Sequence, residues 1–196
     1  MSTKVIADIL TASRFGSAWV LLWIGTSKGA EGLPLAVIIL VIAWITDVLD
    51  GPLARREPSR AQTWVGEHDL EIDIAVSLGV MTYLVFSNYL SAWLAVSYVV
   101  LCALVLWRYR SLELAWAVQA PPYGGMLYIA LCQAPIYGLV MVAYLVIILV
   151  ATWPRFPQVT LPQFFSAMRS LQKTEISPEP SQEETPLENS NKSSQA

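Results

Sequence analysis

Residues 45–77 read ITDVLDGPLARREPSRAQTWVGEHDLEIDIAVS, and they contain every charged residue between positions 32 and 107. The apolar stretches on either side are each long enough to form a helix, so this segment decides how two consecutive helices face one another. On a helix Asp47 and Asp50 lie about 60° apart around the axis, and Asp69 and Asp73 about 40° apart, so each pair shares a face. Antiparallel packing of the two helices brings all four carboxylates to one end. An acid at the centre of a spanning helix costs on the order of 3 kcal/mol on insertion scales, less near the interface, and intramembrane ionisable groups mark ion or substrate sites. Arg55 and Arg56 neutralise at most two of the four. Single charges at helix ends are often interfacial caps, but capping does not explain why both pairs enter the spans they border.

Working outward, the chain is built for lipid. Its 196 residues are 55% hydrophobic and 14% charged, with mean hydropathy +0.51, against roughly 45–50% and 25% in soluble domains. This composition excludes a disordered chain and an ordinary cytosolic enzyme. Six spans of about 20 residues use roughly 120 residues, which leaves no room for a second globular domain. VIADILTASRFGSAWVLLWIG forms the first span and LPLAVIILVIAWIT the second. The uncharged run 74–107 divides into spans three and four at Ser87-Asn88-Tyr89. The run 114–154 divides at Gln133-Ala134-Pro135 into spans five and six, with Pro121-Pro122 and Gly124-Gly125 interrupting the fifth. Asp8 and Arg14 argue against a cleaved signal peptide.

Cytoplasmic loops carry the excess of Lys and Arg. One side of the six-span arrangement holds Lys4, Arg55, Arg56, Arg60, Arg108, Arg110, Arg155, Arg169 and Lys173, and the other only Lys28. Both termini are therefore expected in the cytoplasm. Residues 1–155 form the all-α membrane domain. In 156–173, Phe164, Met168 and Leu171 share a helical face beside Arg169 and Lys173, suited to lying along the cytoplasmic leaflet. Residues 174–196, rich in Glu, Ser, Pro and Gln, read as a disordered tail. This tail supplies Glu175, Glu179, Glu183, Glu184 and Glu188, so the net charge of −3 conceals a chain that is slightly basic without its tail. Cys102 and Cys132 lie in apolar runs and suggest neither disulfide nor metal site. No basic aromatic stripe or phosphate loop points to nucleic acid.

Oxygen-only ligands select hard cations, so the acidic cluster is expected to take Mg²⁺ or Mn²⁺. His68 is the only histidine, which disfavours zinc. Two ions about 3.5–4 Å apart stabilise charge as an oxygen displaces a phosphate ester, so a phosphate-transfer site follows. Gly51 and Ala54 keep the surface beside the acids low for a ligand's approach, and Arg55 offers a charge-assisted fork for phosphate.

The segment resembles the signature of the CDP-alcohol phosphotransferases, D-x2-D-G-x2-A-R, then eight or nine residues, then G-x3-D-x3-D. Asp47, Asp50, Gly51, Ala54, Arg55, Asp69 and Asp73 stand at matching positions. The later glycine departs: Val65 stands where it is expected and Gly66 follows one place on. A one-residue bulge or a shifted helix start restores the contact. The family's six-helix membrane fold with cytoplasmic termini also resembles residues 1–155. The resemblance implies that Asp47, Asp50, Asp69 and Asp73 hold the divalent ions, that Asp73 is also the general base, and that Gly51, Ala54, Arg55 and Gly66 contact CDP. Asp73 lies deepest in its helix, which agrees with a base set apart from the other acids.

Small bacterial members of the family use CDP-diacylglycerol and a water-soluble acceptor. The resemblance thus implies a phosphatidyltransferase of phospholipid biosynthesis in the bacterial inner membrane, with its site facing the cytoplasm and CMP released. The acceptor is a small polar alcohol of the glycerol 3-phosphate, inositol phosphate or serine type. Arg108 and Arg110 are the cations expected to recognise it. Thr11 and Arg14 resemble the family's N-terminal Thr-x2-Arg, and Arg14 either pairs with a site carboxylate or snorkels to the interface. Ala12 and Gly16 form a small-x3-small pair, and the resemblance implies a homodimer. Competing readings are a relative that binds cation and nucleotide or lipid without chemistry, an ion carrier, or a scaffolding bundle whose tail recruits partners. A carrier is expected to place its ionisable groups near the bilayer midplane, whereas these cluster at one face.

Overall fold

The computed structural model describes residues 3–54, 69–109 and 112–153, with side chains described in 9–49, 70–109 and 114–153. Among these residues every regular element is helical. Helix α1 (Thr3–Lys28) passes through a 3-10 turn (Gly29–Gly32) into α2 (Leu33–Ala54). There follow α3 (Asp69–Phe86), α4 (Ala92–Tyr109), the six-residue α5 (Leu112–Ala117), α6 (Ala120–Gln133) and α7 (Pro135–Ala151). The amphipathic segment 156–173 and the tail 174–196 lie outside the described residues, as do Arg55, Gly66 and Arg110.

Local chemistry explains the boundaries. The turn after α3 places Asn88 at φ 59, a left-handed conformation that Asn tolerates better than most residues. Ser91 Oγ then accepts a 3.3 Å hydrogen bond from the Leu94 N–H, capping α4. Pro135 begins α7 directly after α6 ends at Gln133, and Ala134 breaks the run between them.

The interruption expected in the fifth span is present, just before Pro121-Pro122: the run consists of two helices, α5 and α6, parted at Val118 and Gln119. Pro121-Pro122 open α6 instead of interrupting it, because the first turn of a helix needs no donor from them. Gly124-Gly125 lie within α6 and break nothing. Tyr98 Oη, from α4, donates a 2.6 Å bond to the Val118 carbonyl that the parting exposes.

Helices α1, α2 and α3 form the core, with Leu21, Ile24, Val37, Leu40, Val80 and Tyr83 buried between them and Met126 and Met141 closing it from α6 and α7. Small residues set the closest approaches, as they do between helices in lipid. A Cβ on Gly79 would come within 2.8 Å of the Ala18 Cα, so only glycine lets α3 lie this close to α1. A Cβ on Gly138 would reach 2.6 Å from the Leu131 backbone nitrogen, which brings α7 onto α6 in the same way. Tyr83 Oη donates to the Gly29 carbonyl at 3.3 Å and ties α3 to the turn joining α1 and α2.

The outer surface is apolar. Trp93, Leu94, Trp107, Ile136 and Val150 are all exposed. The stretches Ile9–Leu49 and Ala92–Tyr109 are long and apolar enough to cross a membrane, and Pro135–Ala151 is a shorter apolar helix. Ala12 and Gly16 lie on the exposed side of α1.

Candidate active site

The site is built around a buried arginine. Arg14 lies midway along α1 with 1% of its side chain exposed. A buried guanidinium is tolerated only when it is paired and hydrogen-bonded. Its Nη1 donates to Asp47 Oδ1 from α2 and, at 2.5 Å, to Asp73 Oδ1 from α3. Its Nη2 donates to Thr11 Oγ1 at 3.5 Å, one helical turn earlier. Snorkelling to the interface is therefore excluded for Arg14; pairing with carboxylates is what occurs.

The two acids are much less buried than their partner, Asp47 at 46% exposed and Asp73 at 27%. The guanidinium thus forms the floor and the carboxylates the rim of an opening. A cavity of about 100 Å³ lies here, walled by Arg14, Asp47 and Asp73 with Ala43, Trp44, Val76, Gln119 and Tyr123. Helix α6 supplies the far wall. Tyr123 Oη donates to the Asp73 backbone carbonyl at 3.4 Å, and its ring meets Trp44 edge-on at 5.4 Å. Trp44 in turn stacks on Tyr144 of α7 at 5.8 Å. Gln119 is held by a 3.0 Å bond from Nε2 to the Ala115 carbonyl. A second, larger groove of about 410 Å³ shares Asp47, Trp44 and Tyr123 and runs between α2, α6 and α7 along Val48, Leu127, Leu145 and Ile148. A polar pocket thus opens beside an apolar channel.

Of the residues expected from sequence, Asp47 and Asp73 are brought together. Asp50, Gly51 and Ala54 occupy the last two turns of α2 and Asp69 begins α3, but their side chains lie outside the described residues. Among the described residues no group of three or more potential Asp, Glu, His or Cys ligands is defined. Arg108, at the end of α4, is exposed, and its guanidinium carbon sits 5.2 Å from the Tyr109 ring centroid. It is not a wall of the cavity. Sequence reasoning missed Gln119, Tyr123 and Trp44. The signal for the first two was the Pro121-Pro122 pair, read as an interruption when it marks a helix start that turns these residues inward. Trp44 carried no signal, since one aromatic residue in an apolar run is indistinguishable from its lipid-facing neighbours.

The donor set fits a hard divalent cation. Both acids present an oxygen to the same Arg14 nitrogen, so the two carboxylates stand side by side, where they could approach a common ion or a pair of ions about 3.5–4 Å apart. Both ligand atoms are carboxylate oxygens, as Mg²⁺ and Mn²⁺ prefer. The family model for CDP-alcohol phosphatidyltransferases matches residues 4–168, which includes α1 and the whole acidic segment. The chain belongs to the CDP-alcohol phosphatidyltransferase family. This membrane transferase therefore transfers a phosphatidyl-type group from a CDP-alcohol to an alcohol. No curated protein and no solved structure matches the chain. As a CDP-alcohol phosphatidyltransferase, the protein has Asp47 and Asp73 at the rim of a cavity lined by charged side chains from three helices.

Proposed function

We propose that the protein is a phosphatidyltransferase of phospholipid biosynthesis, which moves the phosphatidyl group of CDP-diacylglycerol to a small hydroxyl acceptor and releases CMP. The observation that carries this reading is the convergence of Asp47 and Asp73, one from each half of the family signature, on a polar pocket adjoining an apolar groove. Such a groove suits acyl chains entering sideways from the bilayer while the diphosphate sits at the carboxylates. Six spans with both termini in the cytoplasm would place this pocket at the cytoplasmic face of the bacterial inner membrane.

In this reading Asp47, Asp50, Asp69 and Asp73 hold one or two Mg²⁺ or Mn²⁺ ions, which when bound offset charge on the diphosphate. Gly51, Ala54, Arg55 and Gly66 contact the CDP group. Asp73 accepts the proton of the acceptor hydroxyl. The acceptor oxygen bonds to the β-phosphorus, the bond from that phosphorus to the bridging oxygen breaks, and CMP leaves with the electron pair. Tyr123 steadies the Asp73 backbone from α6. Arg108 and Arg110 are assigned to the acceptor, and a raised acceptor KM with kcat retained in Arg108→Ala or Arg110→Ala is the mark of that role.

The test is CMP release by the full chain in mixed micelles of CDP-diacylglycerol with Mg²⁺ or Mn²⁺, across glycerol 3-phosphate, inositol phosphate, inositol and serine. One acceptor is expected to support metal-dependent release. Absence of release with all four acceptors and both ions overturns the reading in favour of a relative that binds without chemistry. The double change Val65→Gly, Gly66→Ala asks separately about the shifted glycine; unchanged CDP affinity shows that the shift is accommodated.

A further inference from the structure

The family reading accounts for the aspartates and leaves open why a fully buried arginine sits between two of them. We propose that Arg14 is the resident counter-cation of the site, a positioning residue that holds Asp47 and Asp73 together in the metal-free protein and sets how tightly the divalent ion binds. This inference rests on the proposed function, because it concerns the same carboxylates.

The argument begins with charge. Asp47 and Asp73 on neighbouring helices repel one another, and like charges that both reach one guanidinium nitrogen are close enough to oppose helix packing when that cation is absent. Arg14 lies beneath them at 1% exposure and bonds to Oδ1 of each. Of these three groups the net charge is −1, instead of −2 for the pair alone. A guanidinium carries five donors in a rigid fork, and Arg14 uses Nη1 for both acids and Nη2 for Thr11. Its direction is fixed from within α1, so α1, α2 and α3 are registered against each other at the level of the site. The close approach at Gly79 and Ala18, about one helical turn beyond Arg14 on α1 and nearly two beyond Asp73 on α3, holds that register mechanically.

The same charge that stabilises the metal-free state weakens attraction for a divalent ion at the rim. A carboxylate has about four lone-pair positions on two oxygens, so it can serve Arg14 and an ion together, but the cation beneath still repels the cation above. Folding and metal binding are linked through whatever binds the native state alone. Removing the resident charge should therefore make the metal-free protein less stable and more dependent on metal.

The experiment compares the wild-type full chain in detergent with Arg14→Gln and Arg14→Lys, with Asp50 and Asp69 left unchanged. Mn²⁺ binding is followed by loss of the free-ion electron paramagnetic resonance signal, and melting is followed with and without saturating Mn²⁺. Arg14→Gln is expected to bind Mn²⁺ at least about tenfold more tightly, and to gain at least about twice the wild-type rise in Tm on Mn²⁺ addition. Arg14→Lys, which keeps the charge, is expected to stay close to wild type on both counts. Unchanged or weaker Mn²⁺ binding by Arg14→Gln overturns the proposal. Failure of the wild type itself to bind Mn²⁺ overturns the metal-dependent reading and this inference with it. If Arg14→Gln does not fold, the charge-balanced Arg14→Gln/Asp47→Asn variant decides: recovery of folded protein supports the counter-cation, and loss of both variants makes Arg14 a packing residue and overturns the proposal.

Discussion

Helices α1 and α4 differ in an instructive way. Helix α1 carries Arg14, Ser13, Ser17 and Thr26 and is the least apolar of the long helices, yet it packs most extensively against its neighbours, on α2 and α3. Helix α4 is uncharged up to Arg108 and touches α3 only lightly, with Trp93 83% exposed and Leu94 64%. In water this order would be reversed. In lipid there is no hydrophobic drive between helices, since acyl chains are as apolar as leucine. Small residues that allow close approach, and polar groups that need partners, decide which helix goes inside. Gly79 facing Ala18 and Arg14 bonded to two aspartates are the two devices that draw α1 into the centre.

Substitutions in the two regions should differ accordingly. The largest effect is expected at the site that α1 supports. Asp73→Asn keeps the shape of the side chain and should lower CMP release about 10²–10⁴-fold, the usual contribution of a positioned base; turnover at the wild-type rate would refute the role given to Asp73. Next comes Gly79→Leu, whose side chain has no space against Ala18. It should cost about 1–3 kcal/mol of stability through overpacking and lower activity by separating Arg14 from Asp73. An unchanged melting temperature would show that α1 and α3 are not held by this contact. Tyr123→Phe removes one hydrogen bond to the Asp73 backbone and should cost about 0.5–1.5 kcal/mol, measured by denaturation in detergent. The smallest effect is expected on α4: Trp93→Phe should stay within about 0.5 kcal/mol of wild type. A large loss there would mean that α4 is covered by something other than lipid.

The divisions at Ser87-Asn88-Tyr89 and Gln133-Ala134-Pro135 could be read in advance because turn residues and proline act locally, through φ preference and missing donors. The pairing of Asp47 and Asp73 could be anticipated for a similar reason: four-residue spacing and proximity to one connecting segment leave few arrangements. Gln119 and Tyr123 were not anticipated, because Pro121-Pro122 mark where a helix starts but not which wall it faces, and that is decided by contacts with other helices, such as Tyr123 with Trp44 and the Asp73 carbonyl. The fate of Arg14 was open for a comparable reason. A long side chain near a helix's cytoplasmic half can reach either the interface or a buried acid, and only neighbouring helices choose.

What the amino-acid order alone established was the class of molecule, an all-helical member of a membrane transferase family, because composition, turn propensity and the spacing of the acids are properties of short segments. Which helix stands at the centre, which wall faces Asp73 and what lies beneath the two carboxylates were decided by the fold. Those outcomes depend on contacts between residues far apart in the chain, such as Arg14 with Asp47 and Asp73, and in a bilayer such contacts are selected by fit and by hydrogen bonding, since hydropathy is the same on every side.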